Sequence, residues 1–188
     1  PRTGAEDDRL AGRAREHARP RHRAAIVVAE HEVARVVAVD FLNVPSWVVA
    51  RDVPVTTSRG KVRVTVAYGG AIYATLPAAH LGLSVTPEHL GDLIALGREI
   101  KGLLNNTKHA AHPTDPRLNG IYGTIWFDEL GDAERLVHQR NVTIFADGEV
   151  DRSPCGSGTC ARLAVLAADG RLPAGTVLRH DSIVGSTF

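Results

Sequence analysis

The sequence predicts a mixed α+β domain, and three features carry that reading. The run Lys61-Val-Arg-Val-Thr-Val66 alternates strictly, so Val62, Val64 and Val66 share one face of a strand. Two apolar segments, one opening after Thr86-Pro87 and one over Thr159–Ala168, have helical spacing and are too long for ordinary strands. Short β-type runs surround both helices, separated by turns bearing glycine and proline, which is the pattern of helices packed on a mixed sheet.

The elements follow in order. Residues 1–23 hold seven arginines among Glu6, Asp7, Asp8 and Glu16 and have neither helical nor strand periodicity, as expected of a solvated, disordered leader. Its interspersed acids and lack of aromatic residues argue against a nucleic-acid arm. The folded lobe is expected over 24–188. From Ala25 the pattern turns β-like: Val36-Val-Ala-Val39 with Phe41 reads as a buried strand, and Asn43-Val-Pro-Ser46 interrupts it before Trp47-Val-Val49. After the alternating strand, Tyr68-Gly-Gly70 reads as a structural bulge or a place where another backbone approaches, and Ala71–Leu76 resumes as strand.

Thr86 offers a capping hydroxyl and Pro87 suits a first helical position. Leu90, Leu93, Ile94, Ile100 and Leu104 then form the face that packs on the sheet, with Lys101 and Asn105 on the polar side. Asn105–His109 is a loop and His112-Pro113 a further turn. Those two histidines lack a carboxylate or thiolate at ligand spacing, so they read as solvated and no metal is expected. Ile121–Phe127 is a strand, followed by a polar connection through Gln139. Asn141–Phe145 and Glu149–Arg152 flank Asp147-Gly148, a strong hairpin signal, and Thr176–Leu178 and Ile183-Val184 supply two last short strands.

Composition bounds the function. A chain of 188 residues with 44% hydrophobic content can bury a core, and a net charge of +1 gives no general attraction to nucleic acid or membrane. No apolar run approaches the ~18 residues of a membrane span, and no secretory signal pattern is present. Two cysteines five positions apart make no disulfide framework, so a reducing cytoplasm is the expected compartment. The chain contains no methionine and opens with proline, from which a piece of something longer is expected.

The chemistry concentrates in Asp147–Arg162, DGEVDRSPCGSGTCAR. Cys155 stands just ahead of a helix start, where unpaired N–H groups and the helix dipole favour an anion. A helix N-terminus is expected to ease ionisation of the thiol. A substrate carboxylate can lie on the amides of Gly156 and Ser157, because glycine lets a ligand approach the backbone. Asp151 adds a carboxylate able to hold a substrate ammonium. Thiol base, anion cradle and cation anchor together suit an amino-acid substrate. Other motifs fail on spacing: no Lys-Ser/Thr follows the glycines as a phosphate loop requires, Ala161 stands where a dinucleotide fingerprint needs its third glycine, and Cys155 stands where a nucleophile elbow needs glycine. Cys160, inside the apolar helix, reads as a buried and inert thiol.

Asp151-Arg-Ser-Pro-Cys-Gly-Ser-Gly-Thr159 resembles the second cysteine motif of the proline racemase family, which includes proline racemases, 4-hydroxyproline epimerases and trans-3-hydroxy-L-proline dehydratases. The resemblance extends from about Val36 to Phe188 through Asn43-Val-Pro-Ser46, Ala67-Tyr-Gly-Gly-Ala71, His112-Pro113, Phe145-Ala-Asp-Gly148 and Ser182-Ile-Val-Gly-Ser186. It implies one lobe of a two-lobed, diaminopimelate-epimerase-like α+β fold, with a mixed sheet wrapped around a central helix. It also implies acid/base chemistry at an amino-acid α carbon with no cofactor. By the same resemblance Cys155 is one catalytic thiol, Gly156 and Ser157 bind the carboxylate, Asp151 binds the ring nitrogen and Phe145 lines the pocket. The opposing residue belongs to a motif in the family's first lobe, and nothing in this chain matches that motif. Tyr122-Gly123 stands where 4-hydroxyproline epimerases tend to have histidines, and Tyr122–Ile125 is similar to 3-hydroxyproline dehydratases. The readings are therefore a proline racemase-type isomerase first, the dehydratase next, and a non-catalytic carboxylate-binding remnant last. The expected partner is proline or a hydroxyproline, with no nucleic acid or membrane, and self-association is expected through an exposed lobe face.

Overall fold

The computed structural model describes residues 23–26, 39–145 and 147–188. The expected leader up to residue 22, and Val36 to Ala38 of the first expected strand, lie outside the described residues. Strands β1 (Arg23–Ile26) and β2 (Val39–Leu42) form an antiparallel pair. The body of the fold is one six-stranded sheet in the order β3 (Trp47–Thr57), β4 (Gly60–Tyr68), β5 (Ile72–Pro77), β6 (Ile121–Ala133), β7 (Leu136–Phe145) and β8 (Val177–Ser182).

Its connections place the helices. Strands β5 and β6 are parallel and joined through α1 (Leu90–Asn105), while β7 and β8 are parallel and joined through α2 (Gly156–Ala168). Because β6 and β7 are antiparallel, the two crossovers step the same way across the sheet from strands of opposite direction. Right-handed crossovers then require the helices to lie on opposite faces. The side chains follow that rule. Ile72, Ala74, Leu76, Val142 and Ile144 pack with Leu93, Ile100 and Leu104 of α1. The alternate residues Tyr73 and Ile125 pack with Ala161 and Val165 of α2, around Cys155. The α+β class and the alternation Val62, Val64, Val66, all buried, are as the sequence predicts.

Side-chain hydrogen bonds fasten α1 to β6: Trp126 Nε1 donates to the Leu93 carbonyl (3.0 Å), Thr124 Oγ1 to the Gly97 carbonyl (2.9 Å), and Asn105 Oδ1 accepts from Ile121 N–H (2.8 Å). The start of this helix differs from expectation. Thr86 makes no side-chain cap, and a 3-10 turn over Pro87–His89 leads into α1 instead. The connection after Phe127 is not irregular either. β6 and β7 continue as a hairpin turning at Glu134-Arg135, with Arg135 at φ 59°, and it reads as polar because Glu129–Ala133 are exposed. The pair Ile183-Val184 forms a turn after β8 rather than another strand, closed by Ser182 N–H and Ser186 O at 2.7 Å. His112 is not simply solvated: its ring meets Trp47 and Tyr68 edge-on, at 5.5 and 5.0 Å between centroids, and its Nδ1 accepts from Asp115 N–H.

Candidate active site

The turn between β7 and α2 is built by a chain of short-range hydrogen bonds. Asp151 N–H donates to the Thr143 carbonyl (3.0 Å), which anchors the segment to the end of β7. Asp151 Oδ1 accepts from Ser153 N–H (2.9 Å) and from Ser153 Oγ (2.8 Å), and Ser153 Oγ accepts in turn from Cys155 N–H (3.1 Å). On the other side, the Pro154 carbonyl accepts from Asn141 Nδ2 (2.8 Å) and Thr159 Oγ1 (3.1 Å). His180 Nδ1 lies 2.8 Å from that same Thr159 oxygen, and burial pushes the His180 ring down to about 3, so it is neutral. Cys155 is thus held by both flanking peptides, and it adopts φ 66°, one of three non-glycine residues at positive φ among those described. Such a conformation costs on the order of 1–3 kcal/mol and persists only where the surroundings enforce it.

Cys155 occupies the N-cap position of α2. The residue is 4% exposed and sits among Ala67, Tyr73, Ile125, Ala161 and Val165, with Phe145 at the edge. The setting is not pure hydrocarbon. Tyr73 Oη lies 3.8 Å from the sulfur and 2.6 Å from Ser157 Oγ. Thr143 Oγ1, buried without a partner of ordinary geometry, faces the sulfur as well. The structure also overturns the expected easier ionisation of the thiol. Burial pushes the Cys155 thiol above its ordinary 9.0, and the nearby Asp151 carboxylate adds to the rise. The Gly158 amide and the hydroxyls of Tyr73 and Thr143 pull the other way and do not compensate. Removing a small anion from water here outweighs what the helix start returns.

The other expected residues gather around this thiol. The amides of Gly156 and Ser157 are first-turn donors of α2, and among the described residues nothing accepts from them. Asp151 uses Oδ1 to shape the turn, and its second oxygen takes no hydrogen bond among the described residues. Phe145, half-buried, meets the Tyr122 ring at 5.4 Å, and Tyr122 meets Tyr73 at 5.8 Å, giving an aromatic wall beside the sulfur. Gly123 stands directly across from Phe145, where a Cβ would come 2.9 Å from the Ile144 carbonyl, so position 123 places no side chain over that ring. Cys160 is wholly buried in α2, as expected of an inert thiol. Tyr73, Thr143 and Ser153 are the contributors that sequence reasoning did not single out. The one available signal for Tyr73 is its place on the opposite face of β5 from Ile72 and Ala74. Among the described residues no group of three or more His, Cys, Asp or Glu side chains is arranged to hold a metal ion.

The sequence profile described as proline racemase matches residues 23–188 of this chain. The chain belongs to the proline racemase family. Within it, the chain is 39% identical over 163 residues to a trans-3-hydroxy-L-proline dehydratase from Bacillus cereus, covering 87% of this chain and 48% of that protein. It is 44% identical over 151 residues to a 3-hydroxyproline 2-epimerase from Burkholderia multivorans, covering 80% and 44%. Among solved structures, a hydroxyproline epimerase from Agrobacterium vitis with bound trans-4-hydroxy-L-proline superposes with a TM-score of 0.69 at 36% identity, covering 77% of this chain and 42% of that one. A probable proline racemase from Agrobacterium radiobacter with bound carbonate gives a TM-score of 0.70 at 34% identity, covering 77% and 42%. This member of the proline racemase family therefore spans about half the length of the curated relatives it matches, and its sheet and two helices have the architecture of the solved members.

Proposed function

We propose that this chain carries one half of a cofactor-independent proton transfer at the α carbon of proline or a hydroxyproline. Cys155 is the base on one face of that carbon. The substrate carboxylate rests on the amides of Gly156 and Ser157, its ring nitrogen on the free oxygen of Asp151, and its ring against Phe145 and Tyr122. The observation that carries the reading is a thiol held at positive φ beside two unpaired helix-start amides. A strained conformation at a reactive side chain persists only where surrounding hydrogen bonds enforce it, as those of Asn141, Ser153 and Thr159 do here. The rise in thiol basicity fits the task, since the proton on an amino-acid α carbon is weakly acidic and needs a strong, desolvated base.

Inversion at C2 and loss of water from a 3-hydroxyproline share their first event, removal of the C2 proton. They diverge in what meets the resulting carbanion: an acid on the opposite face, or departure of the 3-hydroxyl. The relatives named for 3-hydroxyproline favour that ring as a substrate alongside proline. Cys160, the chain's other cysteine, is wholly buried in α2 with Asn43 beside it, so the described cysteines supply the thiol for one face. A working thiol of this kind suits a reducing compartment such as the cytoplasm.

Incubation with L-proline or trans-3-hydroxy-L-proline in D₂O, followed by proton NMR of the α position, tests the reading. Exchange is expected, and Cys155→Ser is expected to reduce it at least ~100-fold, the low end of what a positioned base contributes. Undiminished exchange in Cys155→Ser removes Cys155 from the chemistry. Carboxylate binding without any exchange supports a binding module instead.

A further inference from the structure

Tyr73 is wholly buried, and its hydroxyl touches two groups at once: Ser157 Oγ at 2.6 Å and the Cys155 sulfur at 3.8 Å. A phenol has a single proton to donate. It can give that proton to the sulfur while accepting from the Ser157 hydroxyl, or give it to Ser157 Oγ and leave the sulfur without it. Tyr73 does not lose the proton in either arrangement, because burial and the neighbouring Cys155 push its ionisation far above the ordinary range. The choice rests with Ser157, whose own proton can go to Tyr73 or elsewhere.

We infer that Tyr73 is a positioning residue that couples occupancy of the carboxylate cradle to the basicity of Cys155, by turning its one O–H from sulfur to Ser157 when a carboxylate binds. The inference rests on the proposed carboxylate site at Gly156 and Ser157. With the cradle empty, Ser157 donates to Tyr73 and Tyr73 donates to the sulfur, which steadies the thiolate form whenever the thiol ionises. A bound carboxylate draws the Ser157 O–H to itself. Ser157 Oγ then becomes the better acceptor for Tyr73, and the sulfur loses a donor at the moment its substrate is seated. No bond to hydrogen is broken in this step; two hydroxyls rotate.

The other groups around the sulfur do not follow the ligand in this way. Asp151 faces it from the preceding turn and Cys160 from within α2, and Tyr122 reaches it only through the Tyr73 ring. The Gly158 amide stays on the sulfur in both states, with Thr143 Oγ1 facing it from further off, so a thiolate keeps part of its support. Gly70 lies beside Ser157, where a Cβ would stand 3.7 Å from the Ser157 Cβ, and the one protein partner of the Ser157 hydroxyl among the described residues is Tyr73.

The test follows thiolate absorbance at 240 nm against pH in the full chain on a Cys160→Ser background. The titrations are run with and without tetrahydrofuran-2-carboxylate, a proline-like carboxylate that lacks the amine. The ligand's charge raises the titration of Cys155 in every variant. At a fixed pH below that titration, the ligand is expected to depress the thiolate signal about tenfold more in the parent than in Tyr73→Phe, the worth of one hydrogen bond to a charged group. Ser157→Ala, which leaves Tyr73 on the sulfur permanently, should show the smaller response too, and it serves where Tyr73→Phe fails to fold. Equal responses in parent and variants overturn the coupling while leaving the cradle intact. Absence of ligand binding by calorimetry overturns the cradle and the coupling together.

Discussion

Gly69→Ala is the substitution for which the structure gives the sharpest expectation. Gly69 opens the turn between β4 and β5 and lies against the first turns of α2. A Cβ there would stand 2.6 Å from the Ala161 nitrogen and closer still to the Ser157 carbonyl oxygen. Nonbonded heavy atoms rest at ~3.5 Å, so the shortfall is roughly 1 Å. Both obstacles are backbone, and neither can turn aside as a side-chain tip would. Overpacking of this kind costs ~1–3 kcal/mol, and with main chain on both sides about 3 kcal/mol is expected. In a chain of this size 1 kcal/mol moves the melting temperature by ~2–4 °C, so calorimetry should show a drop of about 6–12 °C. Gly102→Ala is the control. Gly102 lies inside α1, a Cβ there meets nothing within 4 Å, and the exchange should raise stability by up to ~1 kcal/mol. Relief of the Gly69 clash requires α2 to slide, which carries the amides of Gly156 and Ser157 with it, so binding of carboxylate ligands should weaken in parallel. A Gly69→Ala protein melting within about 2 °C of the parent would show that the start of α2 is not held against the β4–β5 turn.

Other outcomes follow from the same structure. Because Cys155 sits at φ 66°, Cys155→Gly should be more stable than Cys155→Ala by about 1 kcal/mol in chemical denaturation, and the reverse order would deny the strain. His180 has its folded pKa lowered from 6.5 to about 3, so the neutral ring's stabilisation is present above 6.5 and lost as pH falls from there toward 3. Unfolding titrations should lose up to ~1.4 kcal/mol per pH unit in that window, and His180→Gln should flatten the slope. Asn141→Ala frees one of the two hydrogen bonds on the Pro154 carbonyl, and exchange at the substrate α carbon should slow about tenfold or more with little change in substrate KM. Leu42, Val44 and Tyr122 are exposed apolar residues, the latter two close to the site, so light scattering at micromolar concentration should show self-association, and a clean monomer would count against it.

What the sequence made legible, and what it hid, divides along physical lines. Strand alternation at Val62–Val66 and the apolar stripe of α1 were readable because period and burial coincide there. The hairpin beyond Phe127 was hidden because its tip is exposed on both faces, which removes the alternation that marks a half-buried strand. Cys155, Gly156, Ser157 and Asp151 could be read because a helix start, a small-residue run and an acid fall within a few positions. Tyr73 could not, since it reaches the same place from another strand, through pairing of β5 with β4 and β6. The direction of the thiol shift was misread for a related reason. A helix N-terminus is visible in one dimension, whereas the burial that outweighs it is created by residues as distant as Ala67 and Ile125.

The placement of α1 and α2 on opposite faces has a consequence for biosynthesis. During translation the α1 side of the sheet can close as soon as Ile144 has left the ribosome, since nearly all of its packing partners precede that residue. The α2 side, with Ala67, Tyr73 and Ile125, must wait bare until Ala161 and Val165 emerge. Nascent chains halted between those two points would present one finished surface and one greasy one, and holdase chaperones should seize them there and let go once the cysteine-bearing helix arrives.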